Sequence, residues 1–172
     1  MWMPLPRSIA MPSKKNPKIL GAHYKLGRLI LSGSRSPASL EKARLKFAQE
    51  LALSPTNADA EFEIGEIYRE GSQPHEAMTH FERAIRYHPD FVEARVGMAK
   101  TLLELGRPAD ALPHLQAAER LDPENKVPHY LLASAYRSLG DSDQAAKEFA
   151  VYRKLGESPP SAVSQSSSSD RN

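Results

Sequence analysis

The run His75-Glu76-Ala77-Met78-Thr79-His80 sets two imidazoles and a carboxylate close together, the ingredients of a helix-borne zinc site. Such a site needs its histidines four residues apart, so that both rings leave the same helix face. Here they stand five apart, the rings diverge, and two solvated helix residues are expected. Asp59, Glu61, Glu63 and Glu66 are carboxylates with the right type for acid and base work, but charge spread along one helix is ordinarily a wetted face. Ser32-Gly33-Ser34-Arg35-Ser36 lacks the lysine and spacing of a phosphate-cradling loop and reads as a turn. The six histidines are scattered, none with an evident serine or aspartate partner for nucleophilic catalysis. With no cysteine in 172 residues, thiolate metal sites, disulfide scaffolds and cysteine nucleophiles are excluded. The expectation is a chain with no catalytic residue, no cofactor and no metal ligand set.

The elements that would carry any function are those of a globular chain, 40% hydrophobic and 26% charged. Apolar runs such as Leu29-Ile30-Leu31 fall far short of the roughly 20 residues that cross a bilayer, and the proline-broken start lacks the form of a cleaved signal. A cytoplasmic protein without membrane insertion is expected. Residues 1–19 carry Arg7, Lys14, Lys15 and Lys18 and no acid, so removing them from a net charge of +2 leaves the rest at −2. A mildly acidic body has little electrostatic reason to hold a phosphate backbone, so no nucleic acid is expected as a partner. The basic arm 1–19 and the serine-rich tail 160–172 hold too little apolar surface to offset their ordering entropy and are expected to be loose.

Between the ends the chain repeats itself. Pro55, Pro89 and Pro123 stand 34 residues apart, and Pro74 and Pro108 keep the same step. Ala77, Ala111 and Ala145 form one column, Phe47, Phe81, Leu115 and Phe149 a second, and Ile64, Met98 and Leu132 a third. A period of this length marks a solenoid. Each unit holds two stretches with helical apolar spacing around a glycine-containing break, such as Glu104-Leu105-Gly106-Arg107, so each is expected to be a helical hairpin. The registers give units at 20–57, 58–91, 92–125 and 126–159. The first is four residues too long, and its surplus is expected in the loop at 32–39. Ser36 and Pro37 suit the N-cap and first turn of its second helix, Asn57 suits the next N-cap, and Pro89 and Pro123 suit helix ends. Pro113 favours a start near Asp110 for the second helix of unit three, where its missing N–H costs least.

These columns resemble the tetratricopeptide repeat. Ile64, Gly65, Tyr68, Ala77, Phe81, Ala84 and Pro89 in unit two, and Met98, Ala99, Leu102, Ala111, Leu115, Ala118 and Pro123 in unit three, follow its pattern. Unit one keeps Leu26, Gly27, Ile30, Ala43, Phe47 and Pro55 but has Glu50 at an alanine position; unit four keeps Leu132, Ala133, Tyr136, Ala145 and Phe149 but has Tyr152 and Glu157 where alanine and proline recur. The outer repeats look like end caps. The family's early tryptophan is replaced by His23, Glu61, Arg95 and His129, which implies looser packing at that corner. The fold implied is all-α, a right-handed superhelical solenoid of four antiparallel helix hairpins.

The resemblance further implies a non-catalytic scaffold for protein–protein interaction, with the first helix of each hairpin lining a concave groove that holds an extended peptide or a partner helix. Carried over by position, the groove residues are Tyr24 and Arg28; Phe62, Glu66 and Arg69; Val96, Lys100 and Leu103; and Tyr130, Ser134 and Arg137. The competing reading is that Tyr24, Phe62 and Tyr130 pack between helices. Chaperone-binding relatives grip a C-terminal carboxylate with a lysine and asparagine clamp, but Arg28, Glu66, Lys100 and Ser134 stand where the asparagine would recur, so no such clamp is implied. Val151, Tyr152 and Leu155 are expected to form a partly exposed end that invites a partner or weak self-association. Alternative readings are a docking or regulatory segment of a larger enzyme, and an RNA-binding helical repeat, which the alanine, phenylalanine and proline columns disfavour. Small residues sit where two helix axes approach to about 8 to 10 Å. Ala111→Phe is therefore expected to overpack its hairpin and cost about 1 to 3 kcal/mol, read as a lowered thermal midpoint.

Overall fold

A computed structural model describes residues 20–157, so the arm 1–19 and the tail 160–172 lie outside the described residues. Eight helices and no strand are found among them: α1 (Ala22–Gly33), α2 (Pro37–Leu53), α3 (Ala58–Glu70), α4 (Pro74–Tyr87), α5 (Val92–Glu104), α6 (Pro108–Leu121), α7 (Lys126–Ser138) and α8 (Ser142–Glu157). The fold is all-α, built of helix hairpins. The chain divides into two compact units, with the boundary between Pro89 and Asp90.

Local chemistry sets the helix ends. Ser36, Asn57 and Asn125 accept hydrogen bonds from backbone N–H groups one turn on, Asn57 Oδ1 from Ala60 N at 3.0 Å, and so satisfy donors with no partner inside the helix. Proline opens α2, α4 and α6, where its fixed φ suits the first helical position and its missing N–H costs nothing. The turns into α4, α6 and α8 place Ser72, Gly106 and Gly140 at φ of 56°, 68° and 83°. Glycine accepts this left-handed region freely; Ser72 occupies it at a cost.

In the first unit the central contact pairs an α1 or α3 glycine with a phenylalanine of the following helix. A Cβ added at Gly27 would lie 2.6 Å from the Phe47 ring, and one at Gly65 2.7 Å from Phe81. The two rings fully fill the space the missing side chains leave, and both are completely buried. Leu31, Ala43, Ala60, Ile64 and Ile67 join Phe47 in one core, with Tyr24, Ile30, Leu40, Leu51 and Tyr68 packed around it. Burying one such ring stabilises by about 1.5 to 3 kcal/mol. In the second unit the same register holds Ala99 and Leu115, both buried, then Ala133 and Phe149. Phe149 remains 45% exposed, and α8 contributes no buried residue.

Three sequence expectations are corrected. The surplus of the first repeat does not enlarge its loop, which spans residues 34–36 and matches the three-residue turns elsewhere. It extends α2 to 17 residues against 14 in α4 and α6, because Ser36 and Pro37 start the helix a turn early. Helix α6 begins at Pro108, not near Asp110, because proline is itself preorganised for the first position. Pro113 therefore lies inside the helix, where it cannot donate to the Ala109 carbonyl; both residues are exposed, so water can take that acceptor.

The third correction concerns the corner without tryptophan, which polar pairs fill. Glu61 is buried and accepts from His80 Nδ1 at 2.6 Å, with Arg83 Nη1 at 3.9 Å. His129 is buried against Glu148, Nδ1 to Oε2 at 2.8 Å. At the matching place in the third repeat, His114 carries a buried Nδ1 with no hydrogen-bond partner. Burial, helped by the positive charge of Arg95, pushes its pKa below the ordinary histidine value.

Two consequences are measurable. Gly65→Ala drives a methyl group into the Phe81 ring and should cost about 1 to 3 kcal/mol, seen as a lower denaturant midpoint; Gly33→Ala, in open space, should not. His114, with its folded pKa depressed, binds fewer protons folded than unfolded, so its contribution is complete above about pH 6.5 and is lost as pH falls below that value through the lower folded pKa. The thermal midpoint should therefore drop less between pH 7 and pH 5 in His114→Gln than in the unaltered protein.

Candidate functional site

The residues expected to face a ligand come from the first helix of each hairpin. In the first unit, Tyr24 is half-buried, with its ring 5.6 Å from Phe47 and its hydroxyl accepting from Arg28 Nη1 at 3.3 Å. Burial raises the tyrosine pKa. Phe62 is also half-buried, 6.0 Å from the Phe81 ring and tilted to it. Between α1 and α3 lies an open cavity of about 310 Å³, lined by Leu31 and Phe62 with Arg28, Arg35, Glu63 and Glu66. The two aromatic residues thus serve both the packing and the surface, because each ring has one face on a core phenylalanine.

The cations of this surface are tied down. Arg28 donates to Glu63 at 2.8 Å across the two helices, Arg69 to Glu66 at 2.8 Å along one, and Arg35 pairs through two nitrogens with Glu70. Glu63 is largely desolvated, and burial raises its pKa despite the arginine beside it. The pair therefore only partly offsets the cost of taking that carboxylate out of water. Sequence reasoning set Arg28, Glu66 and Arg69 on the groove and read Glu63 as part of a wetted face, whereas Glu63 is buried, and it paired none of the arginines with a glutamate. The signal was present, since Arg28 to Glu63 and Arg35 to Glu70 both span 35 residues, close to one repeat, so equivalent helices bring them together.

In the second unit Val96 is buried in the core, so it offers a ligand no surface, contrary to its expected place on the groove. Its position on α5 is surrounded by Ala94, Met98 and Ala99, all buried. Lys100 and Leu103 are half-exposed. Tyr130 stands 51% exposed and, with Ala133, Ser134, Arg137, Ala145 and Phe149, lines a cavity of about 360 Å³. Tyr152 lies beneath this surface, 5.4 Å from the Tyr130 ring and 5.7 Å from Phe149. Val151 is exposed and Leu155 half-exposed. Tyr130, Phe149 and Tyr152 thus form an aromatic cluster at this end.

Elsewhere the histidines of the 75–80 run separate, His75 exposed and His80 turned to Glu61. One group of potential metal ligands does converge: Glu119, His129 and Glu148, with ligating atoms within 4.8 Å of one another. No short motif marks it, because the three residues come from α6, α7 and α8. No described helix is long and apolar enough to cross a membrane.

No curated protein matches the sequence. Solved structures with the same architecture include MamA, 18% identical, over 83% of this chain and 81% of that one, with a TM-score of 0.74. MamA from Desulfovibrio magneticus RS-1 is likewise 18% identical, covering 83% and 77%, with a TM-score of 0.72. YrrB, described as a TPR protein with an unusual peptide-binding site, is 20% identical over 78% of this chain and 67% of its own, with a TM-score of 0.67. At these identities the likeness is one of fold. Two family models described as tetratricopeptide repeat match residues 62–126 and 102–160, together more than half of the sequence. With its helix hairpins, its columns of small and large residues and these matches, the chain belongs to the tetratricopeptide repeat family.

Proposed function

We propose that this protein is a non-catalytic interaction scaffold that binds an extended peptide or a helix on the exposed faces of the first helix of each hairpin. The observation that carries this reading is the open cavity between α1 and α3, with Leu31 and Phe62 among a ring of charged side chains. An apolar floor with polar groups around it is the usual make-up of a recognition surface, in which the aromatic residue supplies contact area at small entropic cost. The peptide-binding site in the description of YrrB supports the same use of the fold.

The pairing of the charges refines what such a ligand would be. Arg28 and Arg69 already hold Glu63 and Glu66, so a purely acidic ligand would have to replace existing partners. A ligand with an apolar anchor flanked by both signs of charge can join these pairs without breaking them. Tyr130, Ser134 and Arg137 of the second unit offer a surface of similar make-up beside Phe149. A short peptide on either face would bury little area, which places binding in the transient class, around micromolar.

The test is affinity capture with identification by mass spectrometry, comparing the unaltered protein with a Phe62→Ala, Tyr130→Ala variant whose helix content is checked by circular dichroism. Truncating an anchoring ring should cost about 2 kcal/mol, roughly a 30-fold loss of affinity, and deplete the captured partners. A folded variant that recovers the same partners at the same yield removes the assignment.

A further inference from the structure

We propose that Glu119, His129 and Glu148 form a binding site for one first-row divalent cation of the zinc type, which fastens the last hairpin to the helix before it. Helices α6, α7 and α8 each contribute one side chain, and all three are of types that ligate such ions. His129 Nδ1 stands 2.8 Å from Glu148 Oε2 and 4.0 Å from Glu119 Oε1. Tetrahedral coordination at about 2.1 Å separates neighbouring ligand atoms by about 3.4 Å. The observed separations bracket that value, so rotation of the two glutamate side chains completes the arrangement without moving a helix.

The charge around the cluster points to a cation. At the equivalent corner of the second repeat, one carboxylate, Glu61, has both an imidazole and a guanidinium beside it. Here the balance is reversed: two carboxylates share one imidazole, and His129 is the sole ionic or hydrogen-bonding partner that either has among the described residues. Even a protonated His129 neutralises only one of them. The surplus negative charge is partly withdrawn from water, since Glu148 is 18% and Glu119 35% exposed, and a divalent ion would cancel it.

The imidazole itself is committed to this cluster. His129 is 5% exposed in its side chain, its Nε2 is buried without a partner, and Nδ1 is the nitrogen aimed at the two carboxylates. The more open Glu119 leaves a path for the ion to enter. One nitrogen and two carboxylates make a borderline donor set that suits zinc and its neighbours. It is too poor in oxygen for calcium, which takes six to eight oxygens, and lacks the sulfur that selects copper(I). Three protein ligands leave a position for water.

The experiment uses the full chain, stripped with a chelator and titrated with zinc chloride, with calorimetry for stoichiometry and the thermal midpoint as a second readout. We expect one ion per chain, a raised midpoint because the ion binds only the folded protein, and no comparable response to calcium or magnesium. Glu119→Gln and Glu148→Gln preserve side-chain shape and a hydrogen-bond acceptor, so both should keep the helical dichroism spectrum while losing at least about tenfold in zinc affinity, since changing even an outer-shell partner of a ligand typically costs that much. His75→Ala, an exposed histidine elsewhere, should leave affinity unchanged. The proposal is overturned if the unaltered chain takes up no zinc, if either glutamine variant keeps full affinity, if His75→Ala abolishes binding, or if magnesium or calcium binds equally well.

Discussion

The first unit depends on two places where a helix carries no side chain. Gly27 and Gly65 let the rings of Phe47 and Phe81 lie against the backbone of the preceding helix, closer than any Cβ would permit. That approach fixes how near the two helices of a hairpin run, and the distance in turn decides which residues face outward. Tyr24 and Phe62 rest on those same two rings, so these half-buried aromatic residues are supported by the contact that holds each hairpin of the first unit together. In the last repeat the pair is Ala133 and Phe149, no described helix follows α8, and the ring stays partly in solvent. The third repeat carries alanine at the same place, Ala99, but there the smaller Leu115 takes the position of the ring and is fully buried.

Charge is used differently in the interior and on the face. At the corner where the family ordinarily has tryptophan, Glu61 and His129 are buried, each held by a partner on the following helix. Burying a charged group is costly unless a partner and hydrogen bonds are supplied, and here a side chain of the following helix supplies them. On the face, Arg28, Arg35 and Arg69 each hold a glutamate. The three pairs leave charge balanced around Leu31 and Phe62.

Much of this was legible in the sequence because it is local or periodic. Ser36, Asn57 and Pro37 announce helix starts by chemistry that acts within one turn, and the 34-residue columns report the packing because every hairpin solves the same steric problem. What was hidden depends on which residues meet across helices. Glu61 with His80, and His129 with Glu148, are both 19 residues apart, with the roles of acid and base exchanged between the second and fourth repeats. A search for complementary charges at that fixed offset finds both, whereas a search for motifs finds neither. Val96 was placed on the groove by analogy of position, yet a β-branched apolar residue among Ala94, Met98 and Ala99 is suited to the interior where it lies. Pro113 misled for a related reason: a proline within a helix is tolerated when the acceptor it abandons faces water.

Glu50 has a consequence of its own. It occupies a position that is alanine in the next two repeats, is completely enclosed, and accepts from the backbone N–H groups of Gly21 at 2.7 Å and Tyr24 at 3.3 Å. Gly21 has no side chain with which to cap α1, so the carboxylate near the far end of α2 performs that task and meets the positive pole of the helix macrodipole. A twelve-residue helix is marginal by itself in water. The start of α1 is thus satisfied by a side chain 29 residues further along the chain, so that helix end is linked to α2 being packed against it.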